Sequence, residues 1–367
     1  VDTHNKRRRN MLRLEPRSTQ SLSAAWLSPM LALVLTAVTG GIIFLAMGKD
    51  PATALYIYFV EPLTSSSGLS EVAVKAGPLV LIGIGLSFGF RAGIWNIGAE
   101  GQYVAGAIAG GGLAVFWYES TSAFLLPAML LTGILGGMAW AAIPALLKTR
   151  FNANEILVSL MLVYVAELLL VHLVQGPWRN PMGWGFPGTR VFPDAATMPL
   201  LFTGKRVHLG TVLTLAVPFI AWFLLARTRF GFRIKLFGSA PLAARHAGVQ
   251  SNRIIWQSLL ISGGLAGLAG VIEAAGTIGQ LMPDISPGYG FTAIIVAFLG
   301  RLHPVGVLLA GIAIAVTYIG GESAQISAGL PKAVTGLFQG IILFYLLAFD
   351  LFTRYKIVLP SRQAVQQ

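Results

Sequence analysis

Three strongly polar side chains, Asn96, Glu100 and Gln102, fall within RAGIWNIGAEGQ at 91–102, between stretches apolar enough to sit in lipid. A carboxylate at bilayer depth costs about 2.5 to 3.5 kcal/mol on insertion scales, so Glu100 is expected to face a bundle interior or water. The chemistry on offer is non-covalent: hydrogen bonding to a polar solute along a path. Asn96 and Glu100 are four apart and would share one face of a helix beginning near the asparagine, while Gly93, Gly98 and Gly101 let another backbone come close. The same residues also fit a polar helix cap with a carboxylate at the membrane surface.

No covalent machinery accompanies them. There is no G-x-x-x-x-G-K-S/T phosphate loop, no H-E-x-x-H helix and no G-x-S-x-G elbow, which argues against an ATPase or hydrolase site in this chain. With no Cys there is neither a disulfide framework nor a thiolate site, and the five His form no close pair that would suggest a metal centre. Glu100, Glu155, Glu167, Glu273 and Asp350 are the candidate intramembrane acids, a thin basis for proton or sodium coupling.

The elements that must position these residues follow from composition. With 55% hydrophobic and 11% charged residues in a chain of 367, and a mean hydropathy of +0.73, the sequence is that of a membrane protein. Apolar spans are expected near 30–48, 76–90, 97–117, 124–147, 154–174, 210–226, 255–275, 289–300, 304–321 and 333–349. The second and eighth are too short to cross unbroken, and short interrupted spans are where transporters place their sites. The fold class is therefore an all-α polytopic bundle of about ten helices, with broken segments near 76–102 and 288–304. Five plus five helices suggests an inverted repeat. Gly106 with Gly110, and Gly133 with Gly137, are spaced for close helix contact.

Residues 1–28 read as a basic cytosolic tail, 29–350 as one membrane domain and 351–367 as a second cytosolic tail. On this alternation 19 Lys and Arg fall on the side of the termini and 7 on the other, which puts both ends in the cytosol. The net charge of +12 is explained by this topology, and no aromatic-basic surface suggests nucleic acid. Residues 176–209, rich in Pro, Gly and Trp, read as an ordered extracytosolic connection. Residues 227–254 carry the largest internal charge bias, six basic residues and no acid. Within them a short helix is expected to start near Ser239 and Pro241 and stop at Gly248. It fits a docking knob for a soluble protein, although a solvated positive-inside loop accounts for its charges.

Four blocks together carry a resemblance: FRAGIWNIGAEGQ at 90–102, NEILVSLMLVYVA at 154–166 with GPWRNPMGWG at 176–185, FGSAPLAARHAGV at 237–249, and GFTAIIVAFLGRLHPVG at 290–306. In this order, over residues 77–350, the chain resembles the permease subunits of bacterial ABC importers for nucleosides and simple sugars, a family related to ribose and branched-chain amino acid permeases. The resemblance implies a plasma-membrane core of two permease subunits, a separate ABC ATPase pair that uses ATP and Mg, and an extracytosolic substrate-binding protein. It implies no cofactor in this chain. By the same resemblance, Gly238, Pro241, Ala244, Arg245 and Gly248 belong to the helix that seats on the ATPase; Trp95, Asn96, Glu100 and Gln102 border the translocation path; and Asn154 and Glu155 sit by the cytosolic gate. Family members often show Phe where Trp95 stands, and Asn where Val163 and Ser239 stand. Trp95 offers a flat face for a planar base, and equally an interfacial anchor. The expected function is import of nucleosides or simple sugars by alternating access, with membrane lipid as the surroundings. The alternatives are an ion-coupled secondary carrier and, with still less in its favour, a membrane-embedded enzyme.

Overall fold

The computed structural model describes residues 13–16 and 22–358. The basic cluster Lys6 to Arg9, Arg17 and the tail beyond residue 358 lie outside the described residues. The described residues form two compact units, one from those up to 56 together with those from 330 to 358, the other from 57 to 329.

In the first unit, helix α1 (Leu22–Ala46) packs on α14 (Ala333–Arg354). Gly40 makes this possible, since a Cβ there would lie 2.3 Å from Phe338. Phe338 stacks on Phe44 at 5.4 Å, and Thr39 shares a 2.7 Å hydrogen bond with Tyr345. Strand β1 (Arg13–Pro16) pairs antiparallel with β2 (Tyr355–Val358), joining the N-terminal side of α1 to the C-terminal end of α14. A short helix, α2 (Pro51–Leu55), opens at Asp50, whose carboxylate accepts from the Thr53 amide at 2.8 Å.

The second unit begins in a π turn and a short helix, α3 (Glu61–Thr64), then builds its core on α4 (Ser66–Arg91). The most apolar stretch of α4 is 89% buried, against 22% for α7 (Glu155–Gln175), so α4 is the axis and α7 the periphery. Helices α5 (Ala99–Phe116) and α6 (Leu125–Phe151) pack on α11 (Ser251–Ile272, continued as a π turn to Ile278), which with α8 (Leu209–Arg227), α12 (Tyr289–Leu299) and α13 (Pro304–Ala328) packs on α4. Two helices outside the apolar spans, α9 (Arg229–Ser239) and α10 (Pro241–His246), link α8 to α11. Among the described residues seven helices are long and apolar enough to cross a membrane; α5, α12 and the apolar part of α14 are shorter or less apolar.

Helices α5, α6 and α11 touch backbone to backbone. A Cβ on Gly106 would stand 2.2 Å from the Gly267 Cα, and one on Gly137 2.1 Å from the Gly263 carbonyl oxygen. Small residues that let backbones meet are the main source of van der Waals attraction between helices in lipid, where burial from water contributes nothing.

The second span is not short. Ser65 caps α4 by accepting from the Gly68 amide at 2.9 Å, so the helix starts among the serines at 65–67 and runs unbroken for 26 residues. Two charges ahead of the apolar run at 76–90 belong to this helix and are neutralised by distant elements: Glu71 pairs with Arg206 at 3.0 Å and Lys75 with Glu322 at 3.2 Å. The eighth span is short as expected. Helix α12 has 11 residues, about 16 Å of rise, roughly half the hydrocarbon thickness. Gly288 (φ +90°) precedes it, and Arg301 and Leu302, both at positive φ, reverse the chain after it. The connection from 176 to 208 is ordered against the segment after α11: the amides of Thr189, Phe192 and Met198 donate to the carbonyls of Leu281, Gly279 and Ala275 at 3.0, 2.7 and 2.9 Å.

Candidate functional site

Helix α4 ends in a left-handed turn. Gly93 (φ +72°) donates to the Phe90 carbonyl at 3.1 Å, and the Ile94 amide reaches the Gly89 carbonyl at 2.9 Å. This is the Schellman arrangement, which satisfies carbonyls a helix end leaves open. The turn releases the chain into Trp95 and Asn96 before α5 begins at Ala99. Asn96 therefore stands ahead of the helix, and it does not share a helical face with Glu100.

Asn96 and Gln102 close on each other. The Asn96 Nδ2 donates to Gln102 Oε1 at 2.8 Å and to Ser262 Oγ at 2.9 Å, while Asn96 Oδ1 accepts from Gln102 Nε2 at 3.0 Å and from the Gly98 amide at 3.1 Å. Both residues are 1% exposed. A fully satisfied buried amide pair fixes the loop and ties it to α11, because any other arrangement leaves desolvated donors unpaired. Trp95 is 39% exposed and lies against Phe90 (centroids 4.9 Å) and Phe298 (5.8 Å), so its ring has one open side.

Glu100 turns elsewhere. Its carboxylate accepts from the Gly290 amide in the first turn of α12, where backbone N–H groups have no intrahelical partner and favour negative charge. Gly290 has no room for a side chain, since a Cβ would meet the Glu100 backbone at 2.2 Å. Ser286 Oγ accepts from the amides of Gly288 and Tyr289 at the same helix end, at 3.2 and 3.1 Å. Glu100, Tyr164, Glu167, Asp284 and Ser286 together line a cleft of about 420 Å³. Tyr164, Asp284 and Ser286 were not singled out in the sequence, being ordinary residue types at ordinary spacing.

A second polar cluster lies nearby. Glu273 is buried in the π turn that extends α11 and accepts from Thr277 Oγ1 at 3.2 Å. Tyr103 stands one helical turn after Glu100 and meets Tyr289 edge to face at 6.0 Å, and its hydroxyl donates to the Ile285 carbonyl at 3.2 Å. The Lys75 ammonium lies 5.7 Å from the ring centres of both Tyr289 and Tyr318. Glu273 stands among the candidate intramembrane acids of the sequence, and the i, i+3 spacing of Glu100 and Tyr103 is a second signal for this cluster.

At the other end of the unit, Asn154 caps α7, its Oδ1 accepting from Ile156 and Leu157 amides at 2.9 and 3.4 Å, and Glu155 pairs with Lys148 at 2.8 Å. The elbow between α8 and α11 holds the expected short helix. Pro241 stands in its first turn and Gly248 (φ +80°) closes it, with Gly248 donating to the Arg245 carbonyl and Val249 to that of Ala244. Ser239 belongs to the end of α9, where its hydroxyl donates to the Leu236 carbonyl at 3.3 Å; Ala240 provides the break. Ala244 is buried and Arg245 exposed, with Arg245 Nε donating to Ser251 Oγ at 3.0 Å. Gly238 rests on the end of α4, where a Cβ would lie 1.9 Å from the Arg91 carbonyl oxygen. A pocket of about 650 Å³ joins Arg245 with Lys148, Arg150 and Glu155.

The family described as branched-chain amino acid transport system / permease component matches residues 68–347. Over 94% of its length this chain is 38% identical to the glucose ABC transporter permease protein TsgB13 of Haloferax volcanii, covering 93% of that protein. It is 30% identical, over 87% of its length, to the guanosine ABC transporter permease protein NupP of Bacillus subtilis, covering 92%. It is 25% identical, over 93%, to the nucleoside ABC transporter permease protein NupB of Lactococcus lactis, covering 94%.

Proposed function

Because this chain belongs to the family of branched-chain amino acid transport permease components, and so forms the membrane path of an ABC transporter rather than an enzyme, we propose that it imports nucleosides or simple sugars. ATP hydrolysis belongs to a partner ATPase. The observation that carries the substrate reading is the cleft at Glu100: carboxylate and hydroxyl acceptors beside the Tyr164 ring suit a neutral, hydroxyl-rich solute, and its acids disfavour anions. The substrates for which these relatives are named, glucose, guanosine and nucleosides, are of that kind.

On this reading Glu100 faces the path, Asn96 and Gln102 border it and hold its wall, and the open side of Trp95 is offered near its end. Asn154 and Glu155 flank the cytosolic gate. The helix carrying Pro241, Ala244 and Arg245, with Gly238 and Gly248 at its bounds, is the seat for the ATPase. A second permease subunit and an extracytosolic binding protein complete the assembly in the cytoplasmic membrane. Both ends of the chain face the cytosol, a reading supported by the pairing of β1 with β2 and by the charge split.

The test is substrate-stimulated ATP hydrolysis and uptake in the assembled complex. Arg245→Glu is expected to uncouple the two while the chain still folds, since Arg245 is exposed. Glu100→Gln, which keeps an acceptor for the Gly290 amide, is expected to raise the substrate concentration needed for half-maximal uptake. Concentrative uptake by the chain alone in liposomes, powered by an ion gradient without nucleotide, overturns the proposal.

A further inference from the structure

A groove of about 760 Å³ opens between α8 and α11 over a floor from α4 and α6. Its two walls run antiparallel, α8 toward the elbow that joins them and α11 away from it. Thr228 and Gln257, the polar lining residues, lie toward the elbow; Val217 and Leu268 lie at the far ends of the same walls. The lining is thus graded, polar at one end and wholly apolar along the rest. From Gln257 to Leu268 α11 rises about 16 Å, close to the depth of one leaflet of a bilayer about 30 Å thick.

Positive charge adjoins the polar mouth along the chain. Arg227 and Arg229 flank Thr228, both are exposed, and neither enters an ion pair among the described residues. The Arg227 guanidinium lies 5.9 Å from the ring of Trp222. Helix α9 continues from the mouth as an amphipathic segment: Phe230 lines the groove and Ile234 is buried, while Arg229, Arg233 and Lys235 are exposed. A basic amphipathic helix of this kind lies in the plane of a membrane surface, its apolar face at the acyl boundary.

We infer that the groove is a binding site for one anionic phospholipid of the leaflet on the elbow side. The phosphate rests between Arg227 and Arg229, the ester region meets the Gln257 amide, and one acyl chain fills the apolar length past Leu224 and Ile261. Charge complementarity selects an anionic headgroup, and the gradation of the lining sets the direction in which the lipid enters. The inference rests on membership of a membrane permease family and is independent of which solute is carried.

The experiment is native mass spectrometry of the purified full chain in mild detergent, with phosphatidylglycerol or phosphatidylcholine added, alongside thermal unfolding. Two arginines near the surface predict retention of phosphatidylglycerol over phosphatidylcholine by about 30-fold, with unfolding shifted upward by phosphatidylglycerol alone. Arg227→Gln with Arg229→Gln is expected to abolish that preference, and Ile261→Trp to abolish retention of both lipids. Equal retention of the two lipids by the unaltered chain, or a preference that survives the arginine exchanges, overturns the assignment. So does disulfide cross-linking of two copies through Ile220→Cys, which would show a second permease covering the groove. The arginine exchanges are at exposed positions and decide the question even where Ile261→Trp does not accumulate.

Discussion

A buried amide that satisfies another buried amide is valuable only as a pair. Asn96→Ala leaves the Gln102 side chain desolvated without partners, at a cost of about 1 to 3 kcal/mol, while Gln102→Ala leaves Asn96 its bonds to Ser262 Oγ and the Gly98 amide and is expected to cost less. The double substitution is expected to cost clearly less than the sum of the two, read as thermal unfolding in detergent; additive losses would show that the two side chains act separately. His208, the residue before α8, poses a different problem. It is 2% exposed, its Nδ1 has no hydrogen-bond partner, and its Nε2 is 3.4 Å from Thr277 Oγ1. Burial, reinforced by the Arg206 charge, lowers its pKa from 6.5 to about 4, so it folds as the neutral ring. Between those values the unfolded chain binds the extra proton and the folded chain does not, so the His208 contribution is complete above about pH 6.5 and is lost as pH falls toward 4. An apparent melting temperature that drops between pH 7 and pH 5, with His208→Gln flattening the drop, is the expected result.

At the scale of helices, glycine matters where backbones meet. Gly137→Ala must push its Cβ against the Gly263 carbonyl and is expected to destabilise by about 1 to 3 kcal/mol, the usual cost of overpacking. Gly336→Ala, with nothing within 4 Å, is expected to be neutral or to stabilise by up to about 1 kcal/mol. Equal melting temperatures for the two variants would refute the close-packed seam. The same contrast shows what was legible beforehand. Apolar run length and caps located α5, α7 and α12 nearly to the residue, since Ile97 to Trp117, Asn154 to Val174 and 289–300 became Ala99–Phe116, Glu155–Gln175 and Tyr289–Leu299. Helix α4 was truncated because Glu71 and Lys75 look like loop residues until Arg206 and Glu322 arrive from far along the chain. Glu100 and Gln102 stood out as polar residues among apolar ones. Tyr164, Asp284 and Ser286 did not, because only the tertiary fold gathers them at one cleft.

For the whole molecule the proposed topology puts the connection from 176 to 208 and the α9–α10 elbow on opposite sides of the membrane. The chain has no native cysteine, so Thr203→Cys and Ser239→Cys, both at exposed positions, report sidedness without background. In sealed vesicles an impermeant thiol reagent is expected to label one and spare the other; labelling of both from one side refutes the topology. The seat of Gly238 on the last carbonyl of α4 bears on how such a molecule moves. Side chains at a joint can swing to new rotamers and absorb a small displacement, as a soft bushing does. Here main chain meets main chain, with no cushion between, so a shove on the elbow is expected to reach the central axis undamped, and trimming surface side chains around the joint is expected to leave that stiffness unchanged.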